Sequence, residues 1–438
     1  MAGEFGMVGE KYQPQAGAIT SPIPEPKSPL DLTRRIPELD GMRGAAIAMV
    51  VFVHYVWWAL TPPSSKLVLD IQATTRIFWS AVDLFFVLSG FLIGGNLLDA
   101  RDSPNYFSTF YFRRFCRVLP IYFLFLAMTG LAYGLIYRPI GARLDWVFSE
   151  NMPWYSYVLF IQNFWVAKAN KAGPPILSPT WAFAVEVQFY LLVPAIIRYM
   201  RKSALPYIFV SGIVIAPIVR LYLVHLSRTN LGATYVLLPC RMDSLFFGIL
   251  CAYYLRQPEI WKQLIERRDR VWGVFFILLA GMPILSTKGL PFTLLWMAAG
   301  YGWMSLFFVT VLILAVTKPD CRLSGVLRWR WLTSLGTISY GVYLFHVGIY
   351  GLCMGLISGH PLLLHWMDIG VTLLALAISV SIGKLSWRFI EKPIMRWSHS
   401  RTYGEMAPKT APASDTDAIW NRFKDAPKLL GAEIQEKP

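Results

Sequence analysis

Arg43 and His54 lie on the first long apolar run of the chain, RRIPELDGMRGAAIAMVVFVHY, which extends from Arg34 to Tyr55. In a helix they sit three turns apart on nearly one face, about 16 Å along the axis. If Arg43 marks one membrane face, His54 falls near the middle of a hydrocarbon layer about 30 Å thick. An ionisable group at that depth is costly, so it points to function. His346 reaches a similar depth in SLGTISYGVYLFH, on one stripe with Ser339 and Tyr343. A single buried histidine is more often a hydrogen-bonded structural residue than a catalyst; two at one depth favour proton chemistry.

Cations gather at the Arg43 end. Arg114 and Arg117 share a helical face in RRFCRVLP, as do Lys384 and Arg388 on the last apolar run. Such a collar suits the phosphates of an anionic cofactor, because guanidinium and ammonium groups bind them by charge-assisted hydrogen bonds. Arg113, Lys392 and Arg396 read instead as anchors at the membrane face. Toward the other end the sequence places Asp83 (SAVDLFFVLSGFLIGG), Glu186 (SPTWAFAVEVQFYLLVP), and Arg241 with Asp243 (PCRMDSLFFG). Carboxylates buried without partners are expensive, so Arg241 is expected to pair with one of them or to face a hydrated vestibule. Gly90, Gly94 and Gly95 permit close helix approach.

The elements that must position these residues are membrane helices. The 438 residues are 55% hydrophobic and 15% charged, with a mean hydropathy of +0.46, and the apolar residues come in long uncharged runs. Spans are expected at 43–60, 79–98, 119–137, 181–198, 206–225, 235–255, 272–286, 295–316, 332–357 and 366–390. The fold class is therefore all-α and polytopic, with about ten transmembrane helices. A shorter apolar segment, 155–166, contains Gln162 and Asn163 and is expected to be re-entrant. With that segment not crossing, Arg101, Arg201, Arg256, Lys262, Arg322 and Arg328 fall on one side, which places both termini in the cytoplasm. Residues 1–33 read as a disordered, proline-rich tail, 34–398 as the transmembrane domain and 399–438 as a polar cytoplasmic tail. No cleavable signal peptide is expected before the first span. The net charge of +15 is distributed over short loops, so nucleic acid is not an expected partner. The five cysteines have neither disulfide-framework nor ligand-like spacing, and no metal is expected.

Taken in order, LDGMRG followed by His54, DLFFVLSGFLIG, the paired Arg114 and Arg117 before Leu119-Pro120, FIQNFW, PTWAFAVEVQFYLLVP, RMDSLFFG, ISYGVYLFH and WRFIEKP resemble the membrane acyltransferase-3 family of acyl-CoA-dependent O-acyltransferases. The resemblance covers roughly residues 35–397. It implies that Arg43 and His54 are the essential pair of the first helix, that Arg114 and Arg117 handle acyl-CoA, and that Glu186 is the family's glutamate. The second acidic residue often found beside that glutamate is Val187 here. Some members carry an SGNH-type esterase-like domain at the C-terminus, and none is expected in this chain.

The implied function is transfer of an acyl group, acetyl foremost, from cytoplasmic acyl-CoA to a hydroxyl of an extracytoplasmic or lipid-linked carbohydrate. His54 would be the general base, with Arg43, His346 or Tyr343 stabilising the oxyanion. An acyl-enzyme relay on His54 or Ser89 is the alternative chemistry. Implied partners are membrane lipid and a glycan or glycolipid acceptor, and the implied location is a bacterial inner membrane. The competing class is a multi-helix transporter of a small anionic or glycan-related solute. It would commonly show repeated halves, and the sequence shows none.

Overall fold

The computed structural model describes residues 35–60, 65–149, 152–227, 232–287, 293–317 and 321–404. The expected tail 1–33, and the expected tail 399–438 from residue 405 on, lie outside the described residues. Helix is the only regular secondary structure among the described residues, and nine helical stretches there are long and apolar enough to cross a membrane. The principal helices are α1 (Pro37–Phe52), α2 (Ala81–Asp99), α3 (Tyr106–Ala132), α4 (Trp181–Tyr199), α5 (Leu205–Leu226), α6 (Leu238–Tyr254), α7 (Arg268–Thr287), α8 (Tyr301–Thr317), α9 (Ser339–Cys353) and α10 (Trp366–Ser386). The expected span at 272–286 lies inside α7, a helix of 20 residues.

Local chemistry sets where the first helix begins. Ile36 is extended (φ −105°, ψ 104°), as residues before proline are, and Pro37 takes the first helical position, where a missing N–H costs nothing. Close approach sets the packing. Gly90 on α2 faces Gly248 on α6: a β-carbon on Gly90 would lie 1.9 Å from the Leu245 carbonyl oxygen, and one on Gly248 would lie 2.2 Å from that of Val87. Only glycine fits both places, and the two backbones meet. Gly44 and Gly336 bring α1 against the short helix Arg330–Thr337 in the same way. As a result α1 is packed among α2, α9 and that short helix, near the centre of the bundle.

The 155–166 segment forms two short helices, Trp154–Val158 and Gln162–Ala169, of 5 and 8 residues. They break at Phe160, which adopts a left-handed φ of 56°. Neither is long enough to cross. Gln162 and Asn163 are buried, and their amides bond to Thr180 O (2.8 Å), Gln188 Oε1 (3.2 Å) and Val236 O (3.2 Å), which supplies the partners that polar groups need away from water.

Candidate active site

A cavity of about 760 Å³ opens at the C-terminal end of α1, with His54, Trp58, Trp79, Trp181, Tyr235 and Tyr343 in its walls. His54 lies where α1 gives way to a π-helical turn, Val53–Trp57, in which the Trp58 N–H reaches back to Val53 O (3.0 Å). Such wide turns re-aim side chains and recur at functional sites. Here the turn puts His54 in the cavity wall while its neighbour Tyr55 is buried.

The proton positions on the two imidazoles follow from their partners. His54 Nδ1 is 2.9 Å from Val50 O, an acceptor only, so Nδ1 carries the proton. His346, fully buried, has Nδ1 2.7 Å from Tyr343 O, so its Nδ1 is also the protonated nitrogen. The unprotonated Nε2 of His346 then lies 3.4 Å from His54 Nδ1, with the rings edge to face. His346 thereby reinforces the tautomer that leaves His54 Nε2 with a free lone pair. Tyr55 fixes the helix carrying His346 by donating to the His346 carbonyl (2.8 Å) and sharing a hydrogen bond with Ser379 of α10 (2.7 Å).

A second, narrower cavity of about 90 Å³ lies beside the first and contains Arg43, Ser89, Arg117, Glu186, Tyr190 and Tyr340. Ser89 Oγ donates to Glu186 Oε1 (2.8 Å). Asp40 orients Arg43 (3.3 Å to Nη1) and is itself held by Arg35 Nε (2.6 Å). Glu186, expected toward the His54 end, instead shares this cavity with Arg43 and Arg117. A third cavity of about 60 Å³ is formed by Arg113, Arg114, Arg117, His399 and Tyr403 among others. Arg113 donates to the Arg401 carbonyl (3.0 and 2.8 Å) and packs on the Tyr403 ring, so it anchors the end of the described chain. Burial pushes the Tyr403 phenol above its ordinary pKa, which keeps it a neutral donor.

These cavities adjoin through shared walls. Val82 and Tyr343 border both the first and the second. Arg117 borders both the second and the third. The three cavities thus neighbour one another in order from the arginine cluster to His54.

Two sets of expected site residues lie elsewhere. Lys384 and Arg388 are both exposed and line none of the three cavities. A second π turn, Trp387–Glu391, carries Glu391 inward to accept from Ser386 Oγ (2.7 Å). Asp83, Arg241 and Asp243, expected to bind substrate in a vestibule, are at most 1% exposed and border none of these cavities. Arg241 pairs with Asp83 (2.6 Å), Ser244 Oγ also donates to Asp83 (2.7 Å), and Asp243 pairs with Arg220 (2.8 Å). The Tyr301 ring lies against both guanidiniums, at 4.3 Å from Arg241 and 4.8 Å from Arg220. These charges clasp α2, α5, α6 and α8 together. Arg220 escaped the sequence reading, although an arginine in the apolar run of α5 was itself a signal that a carboxylate lay opposite.

The fold is that of a polytopic helical membrane protein. Residues 36–384 match the family described as Acyltransferase domain, and the chain belongs to this membrane acyltransferase family. Among characterised proteins it is similar to "O-acetyltransferase OatA" of Staphylococcus aureus, 24% identical over 381 residues that cover 83% of this chain and 58% of that protein. It is similar also to "Peptidoglycan O-acetyltransferase OatA" of Listeria monocytogenes, 24% identical over 389 residues, 82% of this chain and 56% of that protein. The chain thus spans just over half the length of these curated relatives. No solved structure matches it.

Proposed function

We propose that the protein transfers an acetyl group from cytoplasmic acetyl-CoA to a carbohydrate hydroxyl on the far side of a bacterial inner membrane, with a cell-wall glycan as the favoured acceptor. The succession of cavities from Arg113, Arg114 and Arg117 through Arg43 and Glu186 to His54 carries this reading. The arginine mouth would hold the phosphates of coenzyme A. The large aromatic-walled cavity would receive the sugar, since aromatic faces and a wide opening suit a carbohydrate ring. His54 Nε2 would take the proton of the acceptor hydroxyl as its oxygen attacks the thioester carbonyl, and return it to the departing thiolate, so that ester and free thiol form with no net proton change. Arg43, three turns away in the second cavity, would help hold the coenzyme A arm. The names of the relatives support acetyl as the donor group and peptidoglycan as the acceptor class.

The test is release of free coenzyme A by purified protein in lipid vesicles, with acetyl-CoA on one side and a muropeptide-containing glycan on the other. Release that depends on the glycan and falls at least 100-fold in His54→Ala is the expected result. Undiminished release in a correctly inserted His54→Ala protein would overturn the role of His54. Absence of release from wild type, with uptake of a solute instead, would favour the transporter class.

A further inference from the structure

His360, His365 and Asp368 are the sole trio of metal-ligating side chains grouped closely enough to share an ion among the described residues, their donor atoms lying within 4.8 Å of one another. They sit at the cavity mouth where the segment after α9 turns into α10. Asp368 is fully buried; its Oδ2 accepts from the backbone N–H groups of Leu364 (3.0 Å) and His365 (2.8 Å), which holds the carboxylate in one orientation. The carboxylate also has the Ser358 hydroxyl as a hydrogen-bonding neighbour, while Oδ1 has no close bond of its own and lies 4.0 Å from His360 Nε2. His365 Nδ1 lies 3.6 Å from Oδ2. A buried carboxylate facing two imidazoles, with acceptor capacity to spare on one oxygen, is a ready seat for a cation.

We infer that His360, His365 and Asp368 form a site for a divalent transition-metal ion, of which zinc is the type, that clamps the rim of the His54 cavity. Two imidazoles and one carboxylate are a fitting donor set, with water as the fourth ligand. Ligand atoms around a tetrahedral zinc stand about 3.4 Å apart, given bonds of about 2.0–2.1 Å. The separations of 3.6 and 4.0 Å close with small inward rotations of His365 and His360, 73% and 31% exposed, the His365 ring giving up in exchange the capping bond it accepts from the Asp368 N–H. The segment between the two histidines carries Pro361 and Leu362, both in the cavity wall. It is tied to the end of the His54 helix by Leu363 N donating to Ala59 O (2.9 Å), and to α9 by Tyr350 donating to Pro361 O (2.8 Å). An ion joining His360 to the N-terminus of α10 closes this short loop, so binding stiffens the wall against which an acceptor would rest.

The experiment uses the full chain, purified with a tag free of histidine, stripped with chelator and titrated with zinc alone and with cobalt(II) alone in detergent. Wild type is expected to bind one zinc per chain, to give the visible absorption of low-symmetry cobalt, and to show slower amide hydrogen exchange over residues 359–365 when zinc is present. His360→Gln and His365→Gln should each weaken zinc binding at least tenfold and abolish the exchange effect; His360→Gln, which removes no helix cap, should leave the thermal midpoint of the metal-free protein unchanged. Equal binding by wild type and the double variant would overturn the site. Binding that leaves exchange over 359–365 untouched would overturn the clamp.

Discussion

At the scale of single residues, the two histidines have unequal parts. His54 borders the cavity, whereas His346 is fully buried, and its ring nitrogens meet only His54 and the Tyr343 carbonyl. If His54 is the base and His346 sets its tautomer, His54→Ala should abolish turnover, while His346→Asn should lower kcat about tenfold with KM for acetyl-CoA little changed. Steady-state kinetics on the two variants checks this, and a KM effect alone at His346 would contradict it. The buried ions make a different claim. Asp83→Ala leaves Arg241 charged and unpaired in the apolar interior, which should cost about 3–5 kcal/mol and appear as poor recovery or a lowered thermal midpoint. Replacing both partners by apolar residues of similar volume should recover most of that loss. The sequence showed which residues were ionisable and deep. It did not show which partners Asp83, Arg241 and Asp243 take, because pairing joins residues far apart in the chain, as Asp83 and Arg241 are.

Helices decide which face a residue presents, and wide turns adjust that face locally. The regular period runs from Arg43 to Phe52, and the π turn Val53–Trp57 then sets His54 in its cavity wall. At Trp387–Glu391 the turn widens, and Lys384 and Arg388 stay on the outer surface while Glu391 turns in. No residue type in that segment announces a π turn, since only the packing around Glu391 and Ser386 selects it. Glu186 lies with Arg43 because the 3-10 segment Pro175–Thr180 precedes α4 and lengthens this span to 25 residues. The glycines were more legible: Gly90 meets backbone, so Gly90→Val should force α2 and α6 apart and destabilise the protein by about 1–3 kcal/mol, read as a fall in thermal midpoint. Gly302, with open space around it, should tolerate alanine without a measurable shift.

Over the whole molecule, the all-helical fold, the class of chemistry and the residues 36–384 that carry it were present in the sequence as an ordered set of motifs. What it lacked was the path between them. Val82 borders two cavities, and Val82→Trp should obstruct passage between them without touching an ionisable group. Turnover should fall at least tenfold while binding of coenzyme A, measured by calorimetry, persists; Arg117→Ala should show the reverse pattern, weakened binding that is further reduced by salt.

The unequal sizes of the chambers carry a metrological consequence. A middle chamber of about 90 Å³ offers room comparable to about three water molecules, set against about 760 Å³ beyond it. If the acyl group passes this way, as the proposed function has it, the chamber would gauge it: a two-carbon fragment would pass, and an eight-carbon tail would jam. Turnover with octanoyl-CoA should therefore be negligible beside acetyl-CoA, and shaving Phe85 to alanine should widen the bore and narrow that gap.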